Sequence, residues 1–456
     1  MAIENAIAAV RFGAGRHPNF PDPSGTDEML VALAGPDQMA ARYPIDSFEV
    51  LFPLQREIRR LSREAKKDKT HPAHAAKREI YKNERVRQVE NLRALLARWA
   101  DTKDPLRERL TRFWADHFTT IGRGGLTRRA VSLHVEDAVR PNLTERFADL
   151  LKAAVTHPMM LVYLDQARSV GPNSRVAIAQ PNRGLNENLA REVLELHTLG
   201  VGAGYAQTDV RELAELFAGL TVHMNEGFRF NRRMAEPGAE TVLGVSYGNA
   251  QPALTDIHKV LDDLAVHPAT ARHVATKLVR HFIDDSPPPE MVSAVEGAFN
   301  DTGGDLMAVY RALLNHPNAV SGPLKKAKQP FDIVATSLRA AGLSGAEIEQ
   351  VSVPDILRYV VNPMRRMGQT WEVPTGPDGW PEDEAHWITP QGLAARIQWA
   401  MALGDIPGLT LPDPRTFLDH ALGPLSTERL RFAVGAAESK SDGIGLVLAS
   451  PDFQRR

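Results

Sequence analysis

Apolar residues recur every three to four positions along most of the chain, and strand-like alternation is scarce. The spacing predicts amphipathic helices over residues 27–43, 84–100, 105–118, 127–139, 143–155, 185–199, 208–218, 254–266, 268–283, 289–300, 304–315, 328–341, 389–402 and 426–436. Start and stop residues fit this reading. Thr208 can cap the helix that opens TDVRELAELF, and Gly219 stands where a helix-terminating glycine belongs. Pro268 falls in a first turn, where a missing N–H costs nothing. One hairpin is expected between 220 and 245, where TVHMN and FRF flank Glu226-Gly227. The expected fold class is mainly α, a large multi-helix domain with at most a short β-hairpin near 220–245.

Three stretches break the pattern. Residues 56–93 carry 13 Lys/Arg against 6 Asp/Glu and read as a charged helical protrusion, either simply solvated or able to bind an anionic polymer. Residues 166–186 are rich in Gly, Pro, Asn and Ser and read as a long loop. Residues 371–388 form a Trp/Pro-rich loop, WEVPTGPDGWPEDEAHWI.

Composition narrows the chemistry. Of the 456 residues none is cysteine, which excludes disulfides, thiol nucleophiles, Cys-ligated zinc, iron–sulfur clusters and c-type haem attachment. A net charge of -2 argues against a dedicated nucleic-acid binder. Glu4 and Arg11 bracket too short an apolar run for a secretory signal, and no window approaches the ~18–20 apolar residues of a membrane span. Cytoplasm is therefore the expected location. The sequence holds no HExxH zinc motif, nucleophile elbow or P-loop, and Gly13-x-Gly15 follows no strand, so it reads as a turn.

The most informative helix is NENLAREVLELHTLG, residues 186–200. On an α-helix Glu187, Asn188, Arg191, Glu192 and Glu195 fall within one arc of about 140°. Glu187, Arg191 and Glu195 form an ion-pairing ladder, whereas Glu192 and Glu195, three apart, suit an acid/base pair or metal ligands. The ordinary alternative is a salt-bridged surface face. His197 lies on the apolar side and reads as a core histidine. Further candidates are Trp114, Asp116 and His117 in RFWADHFTT, Tyr163 and Asp165 in MMLVYLDQ, and the stripe His273, Lys277 and His281. Trp371, Trp380 and Trp387, interleaved with carboxylates, suit stacking on sugars or a cationic group; the alternative is a loop pinned to the core by its indoles.

NENLAREVLELHTLGVGAGYAQTDVRELAELFAGLT, HPATARHVATKLVRHFIDD and MGQTWEVPTGPDGWPEDEAHWITPQGLAARIQWA together resemble the large bacterial domain-of-unknown-function family numbered eighteen hundred. RFGAGRHP, RFWADHFTT, MMLVYLDQARS and KKAKQPFDIVATSLRAAG also fit, so the likeness spans about residues 5–450 and implies one unit, 1–456. It implies no established catalytic residue. Many members are exported, which adds the periplasm to the expected locations, and are encoded beside a family resembling sulfatases and alkaline phosphatases. Members often show His-Asp-x-Gly before Leu-Gly, where this chain has Ala235-Glu236-Pro237-Gly238 before Leu243-Gly244.

Two functional expectations follow. One is a hydrolase acting on a glycan-like or anionic polymer, with Glu192, Glu195, Asp165 and His117 as an acid–base or metal site. Arg191, Asn188, Trp371, Trp380 and Trp387 would hold the substrate, and a divalent metal, if used, would rest on Glu, Asp and His. The other is a non-catalytic helical binding or assembly protein that partners another enzyme.

Overall fold

The computed structural model describes residues 1–223, 226–406 and 409–456. Its regular structure is mainly helical, with two small antiparallel hairpins among the described residues. In the first, β1 (Leu220–His223) pairs with β2 (Gly227–Phe230) as the sequence predicts. Met224 and Asn225, within the predicted TVHMN strand, lie outside the described residues. A second hairpin, β3 (Gly238–Val242) with β4 (Val245–Asn249), was not expected. Its turn is Leu243-Gly244, both at positive φ (50° and 79°), the backbone a two-residue hairpin requires.

Other departures have local causes. The span 27–43 is two helices, Thr26–Ala34 and Gln38–Arg42, parted by Gly35-Pro36. Thr208 does not cap its helix: Gln207–Phe217 begins after Ala206, whose N–H is accepted by Asp209 Oδ2 at 2.7 Å. Lys440–Ala449 went unread because glycines and apolar residues all round leave it no amphipathic period. The basic segment folds into Leu51–Glu64 and the 29-residue helix Ala73–Asp101, packed along a thin seam of Leu61, Ala65, Ala73 and Ile80. Arg59, Arg63, Lys66 and Lys69 point into solvent. No described helix is long and apolar enough to cross a membrane.

Two large apolar clusters carry the packing. The first gathers the helices of residues 105–118, 147–164, 188–194, 210–217 and 257–314; the second gathers 89–100, 331–367, 399–448 and Phe453. A polar seam of buried charges joins the elements that bear them. Arg109, on helix Pro105–His117, reaches Asp332 at 2.7 Å and the carbonyl of Gly13 at 2.9 Å. Arg456 lies 3.3 Å from the same Asp332 and 3.2 Å from His281 Nε2. His281 Nδ1 meets Glu382 at 2.6 Å, and Lys326 pairs with both Glu382 and Asp285. Arg339 binds the carbonyls of Gly15, Trp99 and Ala100, so the RFGAGRHP segment is a turn gripped by two arginines, with Gly15 at φ +84°. Burial alone would drive Asp332 toward its neutral form, but Arg109, Arg456 and Arg112 outweigh it and hold its carboxyl down at about 2.

Candidate functional site

The signature helix is regular only from Asn188 to Glu192; Val193–His197 continues as a widened π turn. Its tertiary partners explain why. Thr198 donates its hydroxyl to the carbonyl of Val193 (2.6 Å), and Gly200, at φ +95°, donates its N–H to Leu194 (3.2 Å). Imidazoles from two other helices bond the remaining carbonyls, His273 Nε2 at Leu196 (3.0 Å) and His117 Nε2 at His197 (3.2 Å). A Cβ on residue 200 would lie 2.9 Å from His273 Nδ1, so only glycine lets that ring approach. Such π segments occur often at functional sites.

On the outer side of this helix the predicted ladder forms. Arg191 contacts Glu187 and Glu195 at 3.4 Å each and Gln207 at 2.9 Å. Asn188 is exposed. Glu192 stays out of the ladder and makes no hydrogen bond or ion pair among the described residues. Half-buried, its carboxyl is pushed up to about 7 by burial and then by Glu195 and Asp378, with Arg191 opposing. Asp378 belongs to the Trp-rich loop, and it also raises Tyr163, where burial is the main cause. The polar helix and the tryptophan loop, read separately in the sequence, thus meet at one place.

The loop is anchored at both ends. At one end Glu372, at a left-handed φ of 58°, takes hydrogen bonds from Ser132 and from Gln88. At the other, Glu382 enters the buried seam. Between them Gly379 (φ +86°) presses onto Asp116, where a Cβ would meet Oδ1 at 2.6 Å. This contact lets the Trp380 N–H donate to Asp116 Oδ1 at 2.8 Å. Asp116 is enclosed and pushed up to about 7 by burial, against the Trp380 N–H and with Glu382 adding to the rise; Lys277 and Arg112 favour its charge. Lys277 forms no ion pair within 4 Å among the described residues. Burial lowers its affinity for its proton, while Asp116, Glu382 and Asp378 support the charge. Glu192, Asp378, Lys277 and Asp116 are therefore successive electrostatic neighbours.

A family model described as "Protein of unknown function (DUF1800)" matches residues 20–455. The chain belongs to that family. No curated protein and no solved structure matches it. Within this DUF1800 chain, the Ala235-Glu236-Pro237-Gly238 position is structural in its contacts: Glu236 accepts the N–H (2.9 Å) and side-chain amide (2.6 Å) of Asn173, tying the 166–186 loop to the hairpin region.

The remaining predicted residues lie apart from Glu192. Asp165, at φ 57°, pairs with Arg123 at 2.8 Å on the surface, and Arg123 sits over the Tyr163 ring. His117 is buried among Trp114, Phe118, Phe147 and His197. Burial, Lys277 and the neighbouring histidines keep it neutral, and its Nδ1 has no partner among the described residues. His197 is likewise buried, with Nδ1 unpartnered among the described residues. Trp371 and Trp380 line a cavity beside Asp116, whereas Trp387 is buried with its indole N–H donated to the Pro381 carbonyl at 2.8 Å. Among the described residues no group of three or more His, Asp or Glu side chains is arranged to hold a metal ion. Sequence reasoning passed over Arg112, which also lines the cavity. The signal was available: Arg112 and Asp116 are four apart and share a helix face.

Proposed function

We propose that this DUF1800 protein is a hydrolase of a glycan-like or anionic polymer, working by carboxyl acid–base catalysis where the signature helix meets the tryptophan loop. The observation that carries the reading is Glu192, a half-buried, unpaired carboxyl poised near 7 beside Asp378. A carboxyl in that state can donate a proton to a leaving group near neutrality and accept one in return. Asp116 is the second group of similar poise, and Lys277 supplies positive charge between the two. Glu195 and Arg191 hold the helix face rather than meeting substrate, and Trp380 offers apolar surface to the substrate. The test is release of reducing ends from a panel of neutral and uronate-containing polysaccharides. Wild type should be active, with Glu192→Gln reducing the rate by roughly 100-fold or more while its circular dichroism is unchanged. Full activity in Glu192→Gln, or no release from any polymer, overturns the reading.

The commitment of Arg191 to Glu187, Glu195 and Gln207 favours a second reading, a binding or assembly protein that uses this helix face as a rigid docking edge. Co-purification of a stable partner that Arg191→Ala releases, together with no turnover by the protein alone, would support it.

A further inference from the structure

Beside Asp116, on the side held by Trp371 and Trp380, lies a cavity of about 90 Å³. Much of its wall is apolar, with Ile45, Val131 and Val135 opposite the Trp371 ring. Set in that wall is the guanidinium of Arg112, 4.3 Å from the Phe331 ring centroid and 5.9 Å from that of Trp371. Cation–ring contacts of this kind hold a guanidinium in place but use none of its N–H donors. Arg112 makes no hydrogen bond or ion pair among the described residues, and burial lowers its affinity for its proton. The indole N–H of Trp371 is also buried without a partner among the described residues. The buried Trp371 donor is costly to leave unpaired, and Arg112 is partly buried with its donors open to a ligand. A ligand that supplies acceptors recovers the cost.

The charges around the cavity define that ligand. Glu136 is satisfied by Arg98 through two bonds of 2.7 and 3.0 Å, and Glu372 by Ser132 and Gln88. Asp116 has one oxygen occupied by the Trp380 N–H. Arg112 is the one lysine or arginine lining the cavity among the described residues, and it meets Asp116 and Asp332 only through space, so one added negative charge finds a bonded partner and a second does not. A planar two-oxygen acceptor matches the paired donors of a guanidinium. The volume is smaller than the roughly 150 Å³ cavity that holds a benzene ring, which limits the apolar part to a few carbons. We propose that this cavity binds the carboxylate of a small monoanionic acid, free or as a substituent of a larger substrate, through Arg112. The site shares Asp116 with the hydrolase reading and deepens it by naming an acidic group on the substrate; binding is measured without turnover, so either can fail alone.

The experiment is titration of the full chain with acetate, butyrate and benzoate, read by tryptophan fluorescence and calorimetry, with butyramide and inorganic phosphate as comparisons. Saturable binding of butyrate is expected, weakened by roughly ten-fold or more in butyramide, where the charge is lost. Arg112→Met should weaken butyrate to a similar degree. Ala115→Leu, which fills the cavity on a helix that accepts leucine and leaves the charge in place, should do the same with the thermal transition retained. Three results overturn the proposal: no saturable carboxylate binding at tens of millimolar, equal binding of butyramide, or unchanged binding in the Ala115→Leu protein. Phosphate competing as tightly as butyrate overturns the choice of a monocarboxylate.

Discussion

Two polar regions lie against the tryptophan loop and use the same residue types, yet they are finished differently. In the seam, Asp332 has Arg109 and Arg456, and Glu382 has His281 and Lys326. In the cleft, among the described residues, Glu192, Lys277 and Arg112 have neighbours but no bonded partners, and Asp116 keeps only a backbone N–H. Electrostatics follow the pairing. Asp332 is held down at about 2 although burial opposes its charge, whereas burial drives Asp116 up to about 7 with too little compensation. Burial and composition do not separate structural charges from candidate functional ones. Completion of the pairing does.

Acid should break the comparison most broadly. Burial is the main reason His281 and His273 stay neutral down to about 4 and His197 to about 3. In the unfolded chain these histidines take up protons near 6.5, so the unfolded state binds more protons and stability falls with pH below that point. Each should remove on the order of 3 kcal/mol by pH 4. Asp332 adds a further loss as pH falls from about 4 toward 2. Thermal melts should show a steep decline from pH 7 to pH 4, and a flat profile would contradict the burial of these rings.

Asp332→Ala removes one partner from two buried arginines and should cost about 3–5 kcal/mol in denaturant unfolding. Asp116→Asn should have the opposite sign. Asparagine still accepts the Trp380 N–H without a charge to bury, so the variant should be more stable than wild type by on the order of 2–4 kcal/mol at pH 8. That gain should fade as pH falls toward 4, where the wild-type carboxyl is neutral in the folded state and is becoming neutral in the unfolded one. A loss of stability at pH 8 would place Asp116 with the seam. The smallest effect belongs to the surface ladder: Arg191→Ala should cost about 0.5–1 kcal/mol in the same measurement, and less at high salt.

The mainly α architecture, the ladder through Arg191 and the first hairpin were legible because each rests on spacing within a few residues. The join between the loop and helix Pro105–His117 was not, since Trp380 and Asp116 are 264 positions apart. Gly379 looked like ordinary turn glycine, and its need to lie flat on a carboxyl appears only in three dimensions. The sequence placed His117 beside Glu192 in function, whereas the chain uses it to bond the end of the signature helix. The π turn was illegible for a related reason: His117 and His273 bond its carbonyls from other helices.

That widened turn carries a consequence for how the helix can change. One extra residue in a turn means that positions before Val193 and after His197 are read in different rotational frames. Removing a single residue between them would restore an ordinary helix, yet it would swing Glu192 away from Asp378 or unseat the histidines that hold the far end. Substitutions along this helix are therefore separable events, whereas a one-residue deletion acts on both ends at once.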